Sequence, residues 1–427
     1  MVFDPLVAAA CVRLLGSSQI PPLRSLLITP RCEVTIGMAS VRISIARLKP
    51  GMFVVDAGIS WIDEPHLYQK EGLVTSEAEI KTIRRQGFAE ACYDPTRSQL
   101  QAPAEEKSVP QTPLSDEIYA ARGAFSAAYG HVKSFMQSAA SGNVEVATVE
   151  PCLGSIMKSV VRNRNALLLL ANLKSLDDYM YRHSVNVAIF SVAFGQYLGL
   201  EDEELRLIGI AALFHDYGKA LLPPTILNAP RKLNAGEMQI MRTHVERGYE
   251  KLRNSGKFPN EVLAAILQHH ERHDGSGYPN RLAGEEIGLY GRIISICDVY
   301  DALASKRVYK DAIHPKHALG TLFKMSENAW APGFAEHFIK MVGIFPIGTA
   351  VLLSNGQKGI VCHSDPLAPS LPRVLLVRDC EHGVKPLRML DLSRQKTISV
   401  NRSLSKTETA YWDIPMLLDS ANEEETV

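Results

Sequence analysis

The side chains best suited to chemistry in this sequence are histidines and aspartates that cluster in one stretch of the chain. Eight of the 13 histidines lie between His183 and His317. Neutral imidazole together with carboxylate suits divalent transition metals such as iron, manganese, zinc or nickel. The candidate ligands are His183, His215, Asp216, His244, His269, His270 and Asp298.

The adjacent histidines favour a site larger than one ion. Neighbouring residues on a helix point about 100° apart, so His269 and His270 do not readily chelate a single metal. They can face a broad site or two ions about 3.5–4 Å apart, which would clamp a phosphoryl group and generate a bridging hydroxide near neutral pH. A lone histidine such as His183 or His244 is more often an ordinary core or surface residue than a metal ligand. The prediction of a metal site therefore depends on the joint occurrence of all these residues on successive helices.

Separate amphipathic helices are predicted to carry these residues. Apolar residues recur at helical spacing after His183 and before His215. Asn234 and Glu237 form a capping-box pattern, which predicts the start of a helix that includes His244. Another helix begins after Pro259 and ends at His269 and His270, and a further one contains Asp298.

The rest of the chain divides by pattern into smaller parts. Alternating apolar residues from Val41 to Ile45 predict a strand, and Asn355-Gly356 is the strongest short hairpin signal. We therefore predict a multidomain chain with a central all-α domain, a small N-terminal α+β module and a small C-terminal β module. The predicted parts are an irregular segment (1–37), the α+β module (38–100), a linker (101–114), connecting helices (115–173), the all-α domain (174–343), and the β module with the tail (344–427). Met38 is a candidate natural start of the protein, and Ser115 is predicted to cap the first connecting helix.

Composition excludes several classes of protein. The chain has 427 residues, 46 basic and 46 acidic, so no net charge draws it to a nucleic-acid polymer or an anionic membrane. The longest apolar run, Ala166 to Ala171, is too short to span a bilayer. Seven scattered cysteines without a C-x-x-C pair indicate reduced thiols and a cytoplasmic location.

The order of the motifs resembles the HD-GYP family of the HD superfamily. The matching segments are HDYGK from His215 to Lys219, HHERHDGSGYP from His269 to Pro279, and DVYDA from Asp298 to Ala302. The resemblance covers residues 175–325, and the part before it is similar to an accessory module often found upstream of such domains. It implies a helical metal-dependent phosphodiesterase that hydrolyses the bacterial messenger cyclic di-GMP to pGpG and GMP.

The resemblance also assigns roles to individual residues. It implies that the seven candidate ligands hold the metals, with Asp216 bridging and Lys219 near the scissile phosphate. Arg307 and Lys310 match positions that hold the other phosphate. Gly277, Tyr278 and Pro279 match the Gly-Tyr-Pro motif after which the family is named. The resemblance implies that these residues shape the substrate loop and contact protein partners such as diguanylate cyclase domains.

One position departs from members with three metals. Those members carry a glutamate one helical turn before the first histidine, where this chain has Tyr179. We therefore predict two ions, iron or manganese first, with zinc or nickel as alternatives. Two other functions stay open: hydrolysis of another nucleotide phosphoester, and a silent scaffold that binds cyclic di-GMP or a cyclase. The connecting helices could also support a homodimer.

Overall fold

The computed structural model describes most of the chain from residue 41 onward. The described ranges are 41–57, 66–85, 87–94, 97–98, 112–139, 146–173, 179–305, 315–331, 333–366, 368–380, 383–395 and 397–420. Met38, most of the predicted linker and the C-terminal tail lie outside these ranges. So do Arg307 and Lys310, the two residues predicted to bind phosphate.

The N-terminal module is an α+β unit, as the sequence predicts. Its sheet has the order β1-β5-β2-β4, with β3 parallel to β5. Ile43 and Ile45 point into a separate small core with Met52, so the predicted alternation is confirmed. The elements are β1 (Val41–Ser44), β2 (Phe53–Val54), β3 (Leu67–Tyr68), β4 (Gly72–Leu73), α1 (Glu77–Arg85) and β5 (Glu90–Asp94).

The central part is mostly helical in its described residues. Two long connecting helices, α2 (Leu114–Gln137) and α3 (Glu150–Asn172), come first. Pro113 precedes α2 and the Ser115 hydroxyl bonds to Asp116, so the predicted Ser115 cap is wrong. The helices that follow are α4 (Tyr179–Tyr197), α5 (Asp202–Phe214), α6 (Pro224–Leu227), α7 (Ala235–Arg242), α8 (His244–Ser255), α9 (Asn260–Gln268), α10 (Leu289–Ala304), α11 (Pro315–Ala329) and α12 (Phe334–Val342).

The helix before His244 is shorter than the sequence predicts. Asn234 and Glu237 do form a capping box, with both reciprocal hydrogen bonds at 2.9 Å. The helix that they open ends at Arg242, and Thr243 turns the chain through a hydrogen bond to the Ile240 carbonyl. His244 is therefore the first residue of α8, where its ring reaches the site from the helix start.

The connecting helices pack on the central domain rather than standing apart from it. Phe135 of α2 stacks on Phe214 of α5, with ring centroids 4.2 Å apart. Leu153 of α3 lies against Gly209 of α5 so closely that a side-chain carbon at that glycine would be 2.3 Å from it. This packing fixes the helix whose end carries His215.

The C-terminal module is a five-stranded antiparallel sheet with the order β10-β6-β7-β8-β9. The predicted hairpin is confirmed, because Asn355 and Gly356 connect β6 to β7 and Gly356 has a φ of +83°. A short helix, α13 (Ile414–Ser420), follows and packs on the sheet. The strands are β6 (Ala350–Leu353), β7 (Lys358–His363), β8 (Arg373–Cys380), β9 (Gly383–Asp391) and β10 (Val400–Ser403).

The N-terminal module contacts the central helices through polar and aromatic side chains. Arg84 of α1 pairs with Glu204 of α5 at 3.2 Å. The ring of His66 meets that of His337 on α12 edge to face, with centroids 4.8 Å apart. Of the helices that the structure describes, none combines the length and apolar character needed to cross a membrane.

Candidate metal centre

Seven predicted ligands converge in one buried site. His183 comes from α4, His215 and Asp216 follow the end of α5, and His244 begins α8. His269 and His270 follow α9, and Asp298 lies in α10. Each of the seven side chains belongs to a residue no more than 8% exposed. The structure therefore brings together the seven residues that the sequence predicts as ligands.

The two aspartates lie between the imidazoles. Asp216 directs Oδ2 towards His215 Nε2 at 3.3 Å and Oδ1 towards His244 Nε2 at 3.4 Å. Asp298 Oδ1 lies 3.0 Å from His183 Nε2, and its Oδ2 lies 3.9 Å from His270 Nδ1. The two oxygens of Asp216 thus face different sides of the site.

Several of the buried atoms at the centre have no hydrogen-bond partner among the described residues. Leaving a buried polar atom unpaired costs free energy comparable to a lost hydrogen bond. The ligand atoms of the seven residues form three overlapping sets, and within each set all atoms lie within 4.8 Å of one another. The sets are His244, His269 and His270; His183, His215 and Asp298; and His215, Asp216 and His269. Divalent metals fit this donor set. The unpartnered atoms are Nε2 of His215, His244 and His269, Oδ1 of Asp216 and Nδ1 of His270.

Main-chain carbonyls orient three of the rings. The Nδ1 atoms of His215, His244 and His269 lie 2.6 to 2.7 Å from the carbonyl oxygens three residues earlier. A proton on Nδ1 leaves Nε2 with a free lone pair, which is the form that binds a metal. The helix ends therefore place these nitrogens and also select their tautomer.

A buried carboxylate outside the predicted set orients His183. Asp301 accepts a hydrogen bond from His183 Nδ1 at 2.8 Å and another from Asn186 Nδ2 at 2.9 Å. Asp301 was not among the residues predicted to act in the site, although its place one turn after Asp298 on the same helix was the available signal. Burial opposes protonation of His183, but Asp298 and Asp301 outweigh it and raise its pKa to about 9.

Burial and charge set the protonation of the remaining groups. Burial, reinforced by Lys219, lowers the pKa of His244 to about 4, and burial with His215 lowers that of His269 to about 3. Burial disfavours the charged form of Asp216, but His215 and Lys219 outweigh it and keep the pKa of this carboxyl well below its usual range. These shifts favour neutral imidazoles at His244 and His269 and an ionised carboxylate at Asp216, the forms that bind metals.

A close glycine contact brings His244 to Asp216. Gly218 lies in the short 3₁₀ helix Tyr217–Leu221, directly after Asp216. A side-chain carbon at Gly218 would lie 1.8 Å from the His244 carbonyl oxygen and 2.7 Å from the Gly248 nitrogen. Only glycine allows α8 to approach this closely. Lys219, the next residue, places Nζ 2.6 Å from Asp216 Oδ2.

The loop that contains Gly277, Tyr278 and Pro279 folds back over the histidine pair. A side-chain carbon at Gly277 would lie 2.5 Å from the Arg272 nitrogen, so glycine is required there. The buried Glu271 carboxylate accepts hydrogen bonds from the Asn280 and Leu282 nitrogens at 2.7 and 3.1 Å. Burial raises the pKa of Glu271 despite these bonds. The loop is therefore held by its main chain.

Comparisons with known proteins agree with this site. A family description, HD domain, matches residues 169–331, and a second, a domain of unknown function (DUF3391), matches residues 40–148. A cyclic di-GMP phosphodiesterase of Pseudomonas aeruginosa is 34% identical over 370 residues, covering 83% of this chain and 89% of that protein. The chain belongs to the HD-GYP family.

Two further relatives match shorter stretches of this HD-GYP protein. A cyclic di-GMP phosphodiesterase response regulator of Xanthomonas campestris is 45% identical over 144 residues, which are 34% of this chain and 38% of the relative. A 3'3'-cGAMP-specific phosphodiesterase of Vibrio cholerae is 45% identical over 130 residues, which are 30% and 25% of the two chains. Divalent-metal binding by this HD-GYP protein follows from the family and from its histidine and aspartate cluster.

Proposed function

We propose that this chain is a metal-dependent phosphodiesterase that hydrolyses cyclic di-GMP to pGpG and then to GMP. The observation that carries the proposal is the group of buried ligand atoms that face one another without hydrogen-bond partners among the described residues. The relatives from Pseudomonas and Xanthomonas, whose names specify cyclic di-GMP, support the substrate.

The metal ligands in this proposal are the seven convergent side chains. We assign them to two divalent ions, iron or manganese, with zinc or nickel as alternatives. Asp216 would be the ligand shared by the two ions, a role supported by its two oxygens, which face different imidazoles. Bound ions supply a nucleophile derived from water at neutral pH and stabilise charge on phosphoryl oxygens. The assigned ligands are His183, His215, Asp216, His244, His269, His270 and Asp298.

The number of ions is proposed from Tyr179. In this chain its ring stacks on His183, with centroids 5.4 Å apart and an angle of 16° between the rings. An aromatic ring at that place offers no carboxylate to a third ion. Elemental analysis of the active protein should give two tightly held ions for each chain, and three would contradict the assignment.

Lys219 is the proposed partner of the scissile phosphate. Its side chain is 15% exposed, and its ammonium group lies beside Asp216, where it can stabilise negative charge that develops on a phosphoryl oxygen. Arg307 and Lys310 remain predicted contacts to the second phosphate, and Gly277, Tyr278 and Pro279 remain predicted to shape the substrate loop. A cytoplasmic location is part of this proposal, because the four described buried cysteines are free thiols.

Turnover by metal-loaded protein tests the proposal. Protein purified without oxygen and loaded with Mn²⁺ or Fe²⁺ should convert cyclic di-GMP to pGpG and GMP on a chromatographic assay. The variants His215→Ala and Asp216→Ala should abolish turnover, whereas His131→Ala, which changes a histidine on α2 outside the site, should retain it. Fully metallated native protein that leaves cyclic di-GMP intact would refute the proposal.

Two alternatives are distinguished by the same samples. The Vibrio relative named for 3'3'-cGAMP makes that nucleotide the appropriate competitor, and faster turnover of it would reassign the substrate. Binding of cyclic di-GMP or of a diguanylate cyclase domain without turnover would instead support a signalling scaffold. Sedimentation of the native chain would test the predicted homodimer.

A further inference from the structure

One of the five site histidines lacks the hydrogen bond that orients the others. His183 Nδ1 is paired with the Asp301 carboxylate at 2.8 Å, and three other rings use main-chain carbonyls. Among the residues that the structure describes, none makes a hydrogen bond to the His270 ring. Because ligand imidazoles almost always use the second nitrogen for orientation, His270 needs another support.

Tyr278 contacts His270 in the way such a support requires. The two rings stack with centroids 4.7 Å apart and planes at 28°. The Tyr278 main-chain nitrogen also donates to the His270 carbonyl oxygen at 3.2 Å. Stacking restricts the tilt of the imidazole, while the main-chain bond fixes the start of its side chain. Together they direct Nδ1 towards Asp298.

Tyr278 is itself held in place from two directions. Its main chain belongs to the loop that Gly277 and Glu271 fix against the end of α9. The Arg242 guanidinium, from the last residue of α7, lies 4.9 Å from the centroid of the Tyr278 ring. A guanidinium at this distance from an aromatic ring is attracted to it. Arg242, Tyr278 and His270 thus form a linked series of contacts that ends at the site.

We propose that Tyr278 is a positioning residue for His270, with its ring in the role that a hydrogen bond has for the other four histidines. Arg242 supports the same ring through the cation–π contact. The inference rests on the proposed metal centre and is independent of the nucleotide that the centre hydrolyses. It gives the tyrosine of the Gly-Tyr-Pro segment a task within the metal site.

Metal affinity tests this inference directly. Calorimetric titration of metal-free protein with Mn²⁺ should resolve the more weakly held ion. Tyr278→Leu should weaken that ion about 10- to 100-fold, the usual effect of losing a residue that orients a ligand. Tyr278→Phe keeps the ring and should restore affinity to within about twofold of native. Arg242→Gln should weaken binding about two- to fivefold, as expected for one cation–π contact.

A matched control separates positioning from a general loss of stability. Tyr249 on α8 has the Arg253 guanidinium 5.4 Å from its ring centroid but is not among the proposed ligands. Tyr249→Leu should lower the thermal midpoint of the metal-free protein without changing its affinity for Mn²⁺. Equal losses of affinity in the two leucine variants, or native affinity in Tyr278→Leu, would overturn the inference.

The same titration keeps this inference distinct from the proposed activity. Native protein that binds two Mn²⁺ ions but hydrolyses no cyclic nucleotide would refute the activity and leave the positioning role supported by the variants. Native protein that binds none of Mn²⁺, Fe²⁺, Zn²⁺ and Ni²⁺ would overturn both. A chain that turns over cyclic di-GMP with unchanged metal affinity in Tyr278→Leu would overturn the positioning role alone.

Discussion

Removal of the Asp301 carboxylate should disable His183 without changing any atom of the proposed ligands. In Asp301→Ala, the His183 Nδ1 donor and the Asn186 amide donor both lose their buried acceptor, as does the Ser305 hydroxyl, which unlike those two can rotate to suit another acceptor. Each unpaired buried donor costs about 1–3 kcal/mol, so the metal-free protein should lose about 2–6 kcal/mol of unfolding free energy. Metal affinity should fall about 10- to 100-fold, because the ring is no longer held in one tautomer.

A conservative variant and a control variant test this prediction further. Asp301→Asn removes the charge, but its amide oxygen can still accept from His183 if the Asn186 amide turns over, since Asn186 Oδ1 has no described partner. We therefore expect an intermediate loss. Ser305→Ala removes only a 3.2 Å hydrogen bond to Asp301 and serves as the control.

Calorimetric titration with Mn²⁺ and urea unfolding of the metal-free protein measure the two effects of these variants. Native metal affinity in Asp301→Ala would refute the idea that His183 depends on this hydrogen bond.

Three other perturbations follow from the same structure. Gly218→Ala should lower the free energy of unfolding in urea by about 1–3 kcal/mol and weaken Mn²⁺ binding, because the new carbon would collide with the His244 carbonyl. The control Gly236→Ala, whose new carbon would have its nearest contact 3.5 Å away, should change neither quantity. Lys219→Gln should lower kcat about 100-fold at full metal occupancy, and unchanged kcat would remove Lys219 from the reaction. Burial lowers the pKa of His337 well below its ordinary value of about 6.5, and the nearby His66, Lys340 and Arg42 lower it further. The native protein should therefore lose stability as pH falls below about 6.5, where the unfolded chain binds this proton and the folded chain does not. His337→Phe should reduce that loss by about 2 kcal/mol at pH 5, and identical urea midpoints against pH in both proteins would contradict this.

The sequence was sufficient to predict the classes of the three main parts and the members of the central cluster. Helical periodicity placed the ligands on separate helices, and Asn355-Gly356 located a hairpin, because these signals depend on neighbouring residues. The break at Thr243 was not predicted, since the capping box specifies where a helix starts and not where it ends. Local pattern thus gave the elements more reliably than their limits.

Contacts between distant residues account for what the sequence did not reveal. Asp301 was visible only as part of a motif, and its hydrogen bond to His183 joins residues 118 positions apart. The support of His270 by Tyr278, and of Tyr278 by Arg242, likewise depends on how a loop and a helix end meet. The spacing of apolar residues along the chain does not predict such contacts between distant residues.

The apolar interior has a consequence for where this chain can be shortened. A single cluster of buried side chains runs from Ile118 on α2, through the metal-site helices, to Leu418 on α13. The family description that matches residues 169–331 covers only the middle of that cluster. A protein trimmed to those limits would present to water the apolar faces that now meet α2, α3 and the C-terminal sheet. We therefore expect the smallest piece able to fold to be larger than the segment that carries the proposed metal ligands.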